Sequence, residues 1–185
     1  MVDYQIIVKD LNGNTIGEFE NFEDLEFSFV LNREGDARFK LSLTDNKATS
    51  EMIQLGKREI YIYRDGSLVW GGSQVMLGGT LERKGDEITI YAKGFFDLLR
   101  TRYTDGYVTY EDIDAGQIAW DLIYDSQNKT EGDFGITQGT IQSSVNRSRL
   151  YEHKNIYEAI IQLSEVKNGF DFEITPTKVF NVYYP

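Results

Sequence analysis

The stretch Leu25-Glu26-Phe27-Ser28-Phe29-Val30-Leu31-Asn32-Arg33-Glu34-Gly35-Asp36-Ala37-Arg38-Phe39-Lys40-Leu41-Ser42-Leu43 decides the fold class. Apolar residues alternate on both sides of a polar centre: Leu25, Phe27, Phe29 and Leu31 before it, Phe39, Leu41 and Leu43 after it. A period of two presses one face of each run against a core, as a strand does. Asn32 to Asp36 supplies the turn. Outward from here, a short polar stretch, a candidate for a helical turn, ends at Leu55-Gly56. The run Glu59-Ile60-Tyr61-Ile62-Tyr63-Arg64 then turns at Asp65-Gly66 and returns through Leu68-Val69-Trp70 to Gly71-Gly72. Asp-Gly suits the type I′ hairpin turn, which needs positive φ at both central residues. The expectation is an antiparallel meander, a building block with no visible chemistry.

The rest of the first half extends the meander. Tyr4 to Lys9 and Thr15 to Glu20 flank the turn-rich Asp10-Leu11-Asn12-Gly13-Asn14. Gly79 to Lys84 and Glu87 to Lys93 pair about Gly85-Asp86, with Ile88, Ile90 and Ala92 on one face. Roughly six to eight short strands joined by tight turns make a small barrel or sandwich. Phe27, Phe29, Phe39, Leu41, Ile60, Ile62, Ile88 and Ile90 are its expected interior. Gly71-Gly72 and Gly78-Gly79 read as bulges or tight bends where a strand curls. A helical turn over Phe95 to Arg100 is expected to plug one end through Phe96, Leu98 and Leu99.

Past Tyr103 the period changes. Asp114 is an N-cap candidate before Ile118, Ala119, Leu122 and Ile123 at helical spacing. Asn155 caps a second helix with Ile156, Ala159, Ile160, Leu163 and Val166 on one stripe, and Asn168-Gly169 closes it. Phe170 to Ile174 and Val179 to Tyr184 form a closing hairpin about Thr175-Pro176-Thr177. Ile118, Leu122, Ile156, Ile160 and Leu163 are expected to pack together or against these strands. The fold class is therefore α+β and predominantly β. An antiparallel β-barrel domain over residues 1–103 is followed by a small two-helix α+β domain with closing strands over 104–185.

A net charge of −11 opposes the counterion release that phosphate binding requires, so specific nucleic-acid binding is not expected. With no cysteine there is no disulfide, thiol catalysis or cysteine-ligated metal. No apolar run approaches a membrane span, and Met1-Val2-Asp3-Tyr4 does not open a signal peptide. A soluble chain without a stable membrane anchor is expected.

No constellation carries chemistry. His153 is the only histidine, and between Glu152 and Lys154 it reads as a surface residue before a helix. Asp10, Asn12 and Asn14 have the spacing that starts a calcium loop, but Thr15 and Asn21 stand where its Gly and Glu are needed. Glu131 and Asp133 lie in a loop where solvated charge is the default, and no Gly-Lys-Ser/Thr phosphate loop is present. No catalytic residue, metal ligand or cofactor is expected, and Trp70 and Trp120 read as core. Ile60-Tyr61-Ile62-Tyr63 and Val179-Phe180-Asn181-Val182-Tyr183-Tyr184 instead carry apolar groups on both faces. Either the chain covers both faces itself or one face meets another subunit, where Tyr is enriched. Tyr61, Tyr63 and Tyr183 are the candidate subunit-interface residues.

The order of parts resembles a known family. Asn32-Arg33-Glu34-Gly35, Phe39 to Leu43, Leu55-Gly56, Ile60 to Gly66 and Trp70-Gly71-Gly72 resemble the N-terminal portion of the tail hub proteins of tailed bacteriophages and prophages. These are baseplate hub, or tail-associated, proteins. Later segments fit too: Ile88 with Tyr91 to Gly94, Leu98 to Arg102, Ile156 to Leu163, and Gly169 to Glu173. The resemblance covers nearly the whole chain. It implies a structural component of the virion tail tip, made in the bacterial host cytoplasm, and not an enzyme. Such a hub is a trimeric ring whose barrel domains continue the tube channel. It joins the distal tail tube to the tip, the fibres or a cell-wall-degrading module. The implied partners are the chain itself, as a homotrimer, and other tail proteins (distal tail, tube, tip or fibre). An acidic wall suits a channel through which DNA slides, since it does not hold phosphates. Family members are usually longer, so a reduced member or a piece of one is expected. Two other classes stay open: a tail-associated hydrolase acting on cell wall or polysaccharide, and a carbohydrate- or receptor-binding β module.

Overall fold

Strands β1 (Tyr4–Asp10) and β2 (Thr15–Phe19) form the first hairpin. Its loop is closed by the Asp10 carboxylate, which accepts from the Asn12 and Asn14 amides at 2.9 and 2.8 Å and from Asn14 Nδ2 at 3.0 Å. That is a turn built by an Asp side chain standing in for backbone, so Asp10, Asn12 and Asn14 serve the hairpin. The computed structural model describes residues 2–75, 82–142 and 145–184. The chain divides into two compact units, residues 1–29 with 34–95 and residues 30–33 with 96–185.

The first unit is built on β1, β2, β3 (Phe22–Phe27), β4 (Asp36–Ser42), β5 (Arg58–Arg64), β6 (Ser67–Val75), β7 (Glu82–Lys84) and β8 (Glu87–Gly94). They pair antiparallel in the order β2-β1-β5-β6-β8-β4-β3, with β7 on β8. The inward faces meet in one core that includes Ile6, Val8, Phe19, Phe39, Leu41, Ile60, Ile62, Trp70, Ile88 and Ile90. Phe19 on β2 and Phe39 on β4 stand 5.6 Å apart between ring centroids, and Tyr4 on β1 meets Phe27 on β3 at 6.2 Å. The sheet is therefore curled until its two ends share a core. Among the described residues β2 and β3 are not paired, so the sheet is open and barrel-like only in a loose sense. A bulge in β3 between Glu23 and Glu26, with Asp24 at φ +50°, keeps this seam irregular.

Two local expectations change. Phe29 is not inside: β3 ends at Phe27, and Phe29 is 66% exposed. The stretch before Gly56 is a series of turns, with Gly56 at φ +69°, and not a helix. Gly78-Gly79 and the start of the Gly79–Lys84 run lie outside the described residues, which resume at β7. Gly72 marks a close approach, since a Cβ there would run into the Lys93 carbonyl and come within 2.5 Å of the Trp70 ring.

The second unit contains most of the 3-10 helix Phe95–Thr101, then β9 (Tyr107–Asp114), α1 (Ala115–Gln127), β10 (Thr137–Ile141), β11 (Asn146–Glu152), α2 (Ile156–Ser164), β12 (Asp171–Ile174) and β13 (Val179–Tyr183). Both caps act as read: Asp114 accepts from the Gln117 amide and Asn155 from the Glu158 amide, each at 3.1 Å. The helix α2 stops at Ser164, before Asn168-Gly169, and the left-handed residue there is Asn168 at φ +56°. β10-β13-β12 make one sheet, with β10 parallel to β13, and β9 with β11 make a separate ribbon. Ile118, Leu122, Ile156, Ile160 and Leu163 are all buried in one core with Phe172 and Phe180. Phe96 and Leu99, expected as a plug for the first sheet, belong to this second core. Phe96 stacks within 4.6 Å of Tyr157 and 4.8 Å of Phe172, so the aromatic contacts of α2 and β12 hold it there.

Candidate subunit-interface surfaces

The three tyrosines read as interface residues have different environments. Tyr61 is buried: its ring packs 5.9 Å from Phe95, the Lys9 ammonium sits 4.5 Å above it, and its hydroxyl donates to Glu59 Oε2 at 2.8 Å. Burial, then the Glu59 carboxylate, pushes its phenol far above the ordinary range. In the single chain Tyr61 is thus buried on the face of β5 opposite Ile60 and Ile62, where Phe95 packs on it. Tyr63, two residues on, is half-buried. Tyr183 is 37% exposed, and its hydroxyl donates to Glu173 Oε1 at 2.8 Å, a bond that raises its pKa. Tyr61 and Tyr63 lie in the first unit and Tyr183 in the second.

Sheet edges differ in how open they are. On β3 the bulge is joined by two cross-strand ion pairs, Asp24 to Lys40 at 2.7 Å and Glu26 to Arg38 through two bonds of 2.8 and 3.0 Å. The bonded cations hold both carboxyls below their ordinary range. Bulge and charge together blunt an edge against pairing. On β12 both main-chain groups of Phe172 are taken by Asn32: the Asn32 amide donates to the Phe172 carbonyl at 3.3 Å, and Asn32 Oδ1 accepts from the Phe172 amide at 2.7 Å. Asn32 Nδ2 also donates to Asp171 Oδ1 at 2.8 Å. Arg33 continues the clasp, with 2.6 Å to Glu165 and 2.7 Å to the Asn32 carbonyl. β10 has neither the ion pairs nor a clasp, although its register on β13 shifts between Gln138 and Ile141. It carries Thr-Gln-Gly-Thr without charge, is exposed at its first four residues, and has β13 as its only strand partner among the described residues.

The clasp has a measurable consequence. Asn32→Ala removes two side-chain bonds and puts an alanine at φ +61°, so it is expected to cost about 1–3 kcal/mol of stability. Hydrogen exchange at the Phe172 amide should accelerate with it. An unchanged exchange rate would show that the clasp does not hold the β12 edge.

The clasp also fixes an exposed tip. Phe29, Val30 and Leu31 are 66, 49 and 64% exposed, a run of three large apolar side chains in solvent. At the base of this loop the Ser28 amide donates to the Asp36 carbonyl at 2.8 Å, and the Ser28 hydroxyl donates to Asp36 Oδ1 at 2.6 Å, holding that carboxyl low. Gly35 is needed there because a Cβ would strike the Ser28 carbonyl. His153 is exposed in a left-handed turn at φ +44°. Among the described residues no three His, Cys, Asp or Glu side chains gather as a metal site, and no helix is long and apolar enough to cross a membrane.

No protein-family model and no curated protein matches the sequence. Solved structures do match. The 43 kDa tail protein of prophage MuSo2 from Shewanella oneidensis superposes with a TM-score of 0.60 at 14% identity, over 97% of this chain and 54% of that one. The chain has a tail-protein fold. A tail protein from Neisseria meningitidis MC58 gives the same TM-score at 12% identity, over 97% of this chain and 50% of that one. The Francisella PdpA-VgrG complex matches with a TM-score of 0.56 at 12% identity, over 98% of this chain and 28% of the matched chain. The chain spans about half the length of the two tail proteins. At the level of fold, the likeness to phage and prophage tail proteins read from the strand and turn pattern is present across almost the whole chain.

Sequence reasoning missed the exposed tip and the clasp. Three adjacent apolar residues, Phe29-Val30-Leu31, break the alternation that a half-buried strand requires, and that break was the available signal. Nothing local marks Asn32, whose partner lies 140 residues away.

Proposed function

We propose that the chain is a structural subunit of a phage or prophage tail tip, a hub that joins the distal tail tube to the tip or fibres within a trimeric ring. The observation that carries this reading is the tail-protein fold over 97% of the chain. Its two units are the domains of the hub, a curled β domain and a small α+β domain. The partners are copies of itself and neighbouring tail proteins, and its place is the virion tail. Tyr63 and Tyr183 serve as contacts between subunits, since Tyr gives large contact area with little entropy to lose. β10 is the edge to which a partner strand adds, because it is uncharged and exposed along its first four residues. The chain supports assembly and does no chemistry of its own.

Solution mass tests the ring. Light scattering over a wide concentration range is expected to give a species near three times the 21.3 kDa chain mass. A chain that stays monomeric at every concentration and binds no tail protein contradicts the proposal.

A further inference from the structure

Asn-Gly occurs twice in the sequence, at Asn12-Gly13 and Asn168-Gly169. Such a pair is chemically unstable in water. The glycine nitrogen, once it has lost its proton, attacks Cγ of the asparagine side chain. A C–N bond forms, the side-chain amide leaves as ammonia, and a cyclic succinimide remains. Water then opens either ring carbonyl and leaves aspartate or isoaspartate. Nothing is oxidised or reduced, and water is the co-reactant. Glycine permits the attack because no Cβ stands in its way. In a folded chain the rate depends on whether the glycine nitrogen can turn to the side chain.

The fold treats the two pairs differently. Asn168, at φ +56°, follows α2, and the Gly169 amide donates to the Val166 carbonyl at 2.8 Å. A Cβ on Gly169 would strike the Ser164 carbonyl, so this backbone lies against the end of the helix. Phe170, 1% exposed, holds the next residue in the second core. Turning the backbone there means unpacking that core. Asn12-Gly13 instead lies at the tip of the β1–β2 hairpin, where residues 11–14 are all exposed. Among the described residues the Asn12 side chain has no hydrogen-bond partner, and Gly13, at φ +83°, has open space where a Cβ would stand. The Gly13 amide donates to the Asp10 carbonyl at 3.1 Å, and opening the loop alone releases it.

We infer that Asn12 is a site of spontaneous deamidation through a succinimide, and that the fold protects Asn168 from the same reaction. The product changes the hairpin. The Asp10 carboxylate holds the amides of residues 12 and 14 at 2.9 and 2.8 Å. Isoaspartate routes the main chain through the former side chain and adds one backbone carbon between those two amides, which draws them out of step with the carboxylate. Either product also places a second negative charge beside that of Asp10, and the two repel. The tip of the hairpin therefore loosens as the chain ages.

The test ages the full chain in mildly alkaline buffer, folded and in denaturant, and maps both pairs by peptide mass spectrometry and enzymatic isoaspartate methylation. In the folded chain Asn12 is expected to convert at least about tenfold faster than Asn168, with isoaspartate among the products. In denaturant the two pairs should convert at similar rates, which attributes the difference to the fold. Hydrogen exchange at the Asn14 amide should be faster in the converted chain than in the fresh one. Equal rates in the folded chain, or an Asn12 that stays intact while the denatured chain converts, overturn the assignment. Aspartate without isoaspartate overturns the succinimide route, and unchanged exchange at Asn14 overturns the loosening.

Discussion

Phe39→Ala is expected to lower the unfolding free energy by about 3–5 kcal/mol, enough to remove much of a typical domain's stability. Phe39 is 1% exposed, and its ring stands 5.6 Å from Phe19 and 6.3 Å from Phe22. Those partners come from β2 and β3, the two ends of the sheet, so Phe39 on β4 bridges the seam where hydrogen bonds are missing. Truncation leaves a cavity at the place that has no strand pairing to hold it. Denaturant unfolding read through Trp70, the tryptophan of this unit and itself buried, measures the loss. A change below about 1 kcal/mol would mean that the seam does not depend on the aromatic contact.

Phe172→Ala is expected to cost a similar amount, about 3–5 kcal/mol, in the second unit. Phe172 is 1% exposed and touches three other rings: Phe96 at 4.8 Å, Phe180 at 6.0 Å and Phe170 at 6.2 Å. It joins the 3-10 segment to the β12–β13 hairpin, and its backbone is the strand group that Asn32 holds. Trp120, stacked 6.5 Å from Phe180, reports on this core. A variant with an unshifted transition would show that the aromatic cluster repacks around the hole.

What the sequence made legible was local. The alternation through Phe39 and Leu41, the Asp-Gly turn after Tyr63, and the caps Asp114 and Asn155 each act within a few residues, and each stands as read. What stayed hidden needed a partner far along the chain. Tyr61 looks like a surface tyrosine until Phe95 folds over it, and Asn32 looks like a turn residue until Phe172 arrives. β10 pairs parallel to β13 from a segment whose Thr-Gln-Gly-Thr shows no apolar period at all. Phe96 and Leu99 are apolar at helical spacing in either setting, and only tertiary contacts decide which core takes them. The exposure of Tyr61, Tyr63 and Tyr183 was not legible either, because exposure is a property of the folded chain and not of residue type.

The central claim is that this chain is part of a tail. The most direct measurement is to combine the purified chain with phage tail proteins encoded beside it, or to label it and search virions for it, and locate it by electron microscopy. The account predicts that it joins the assembly at the distal end of the tail tube. Failure to bind any tail protein, or location in the capsid or the cell, would contradict it.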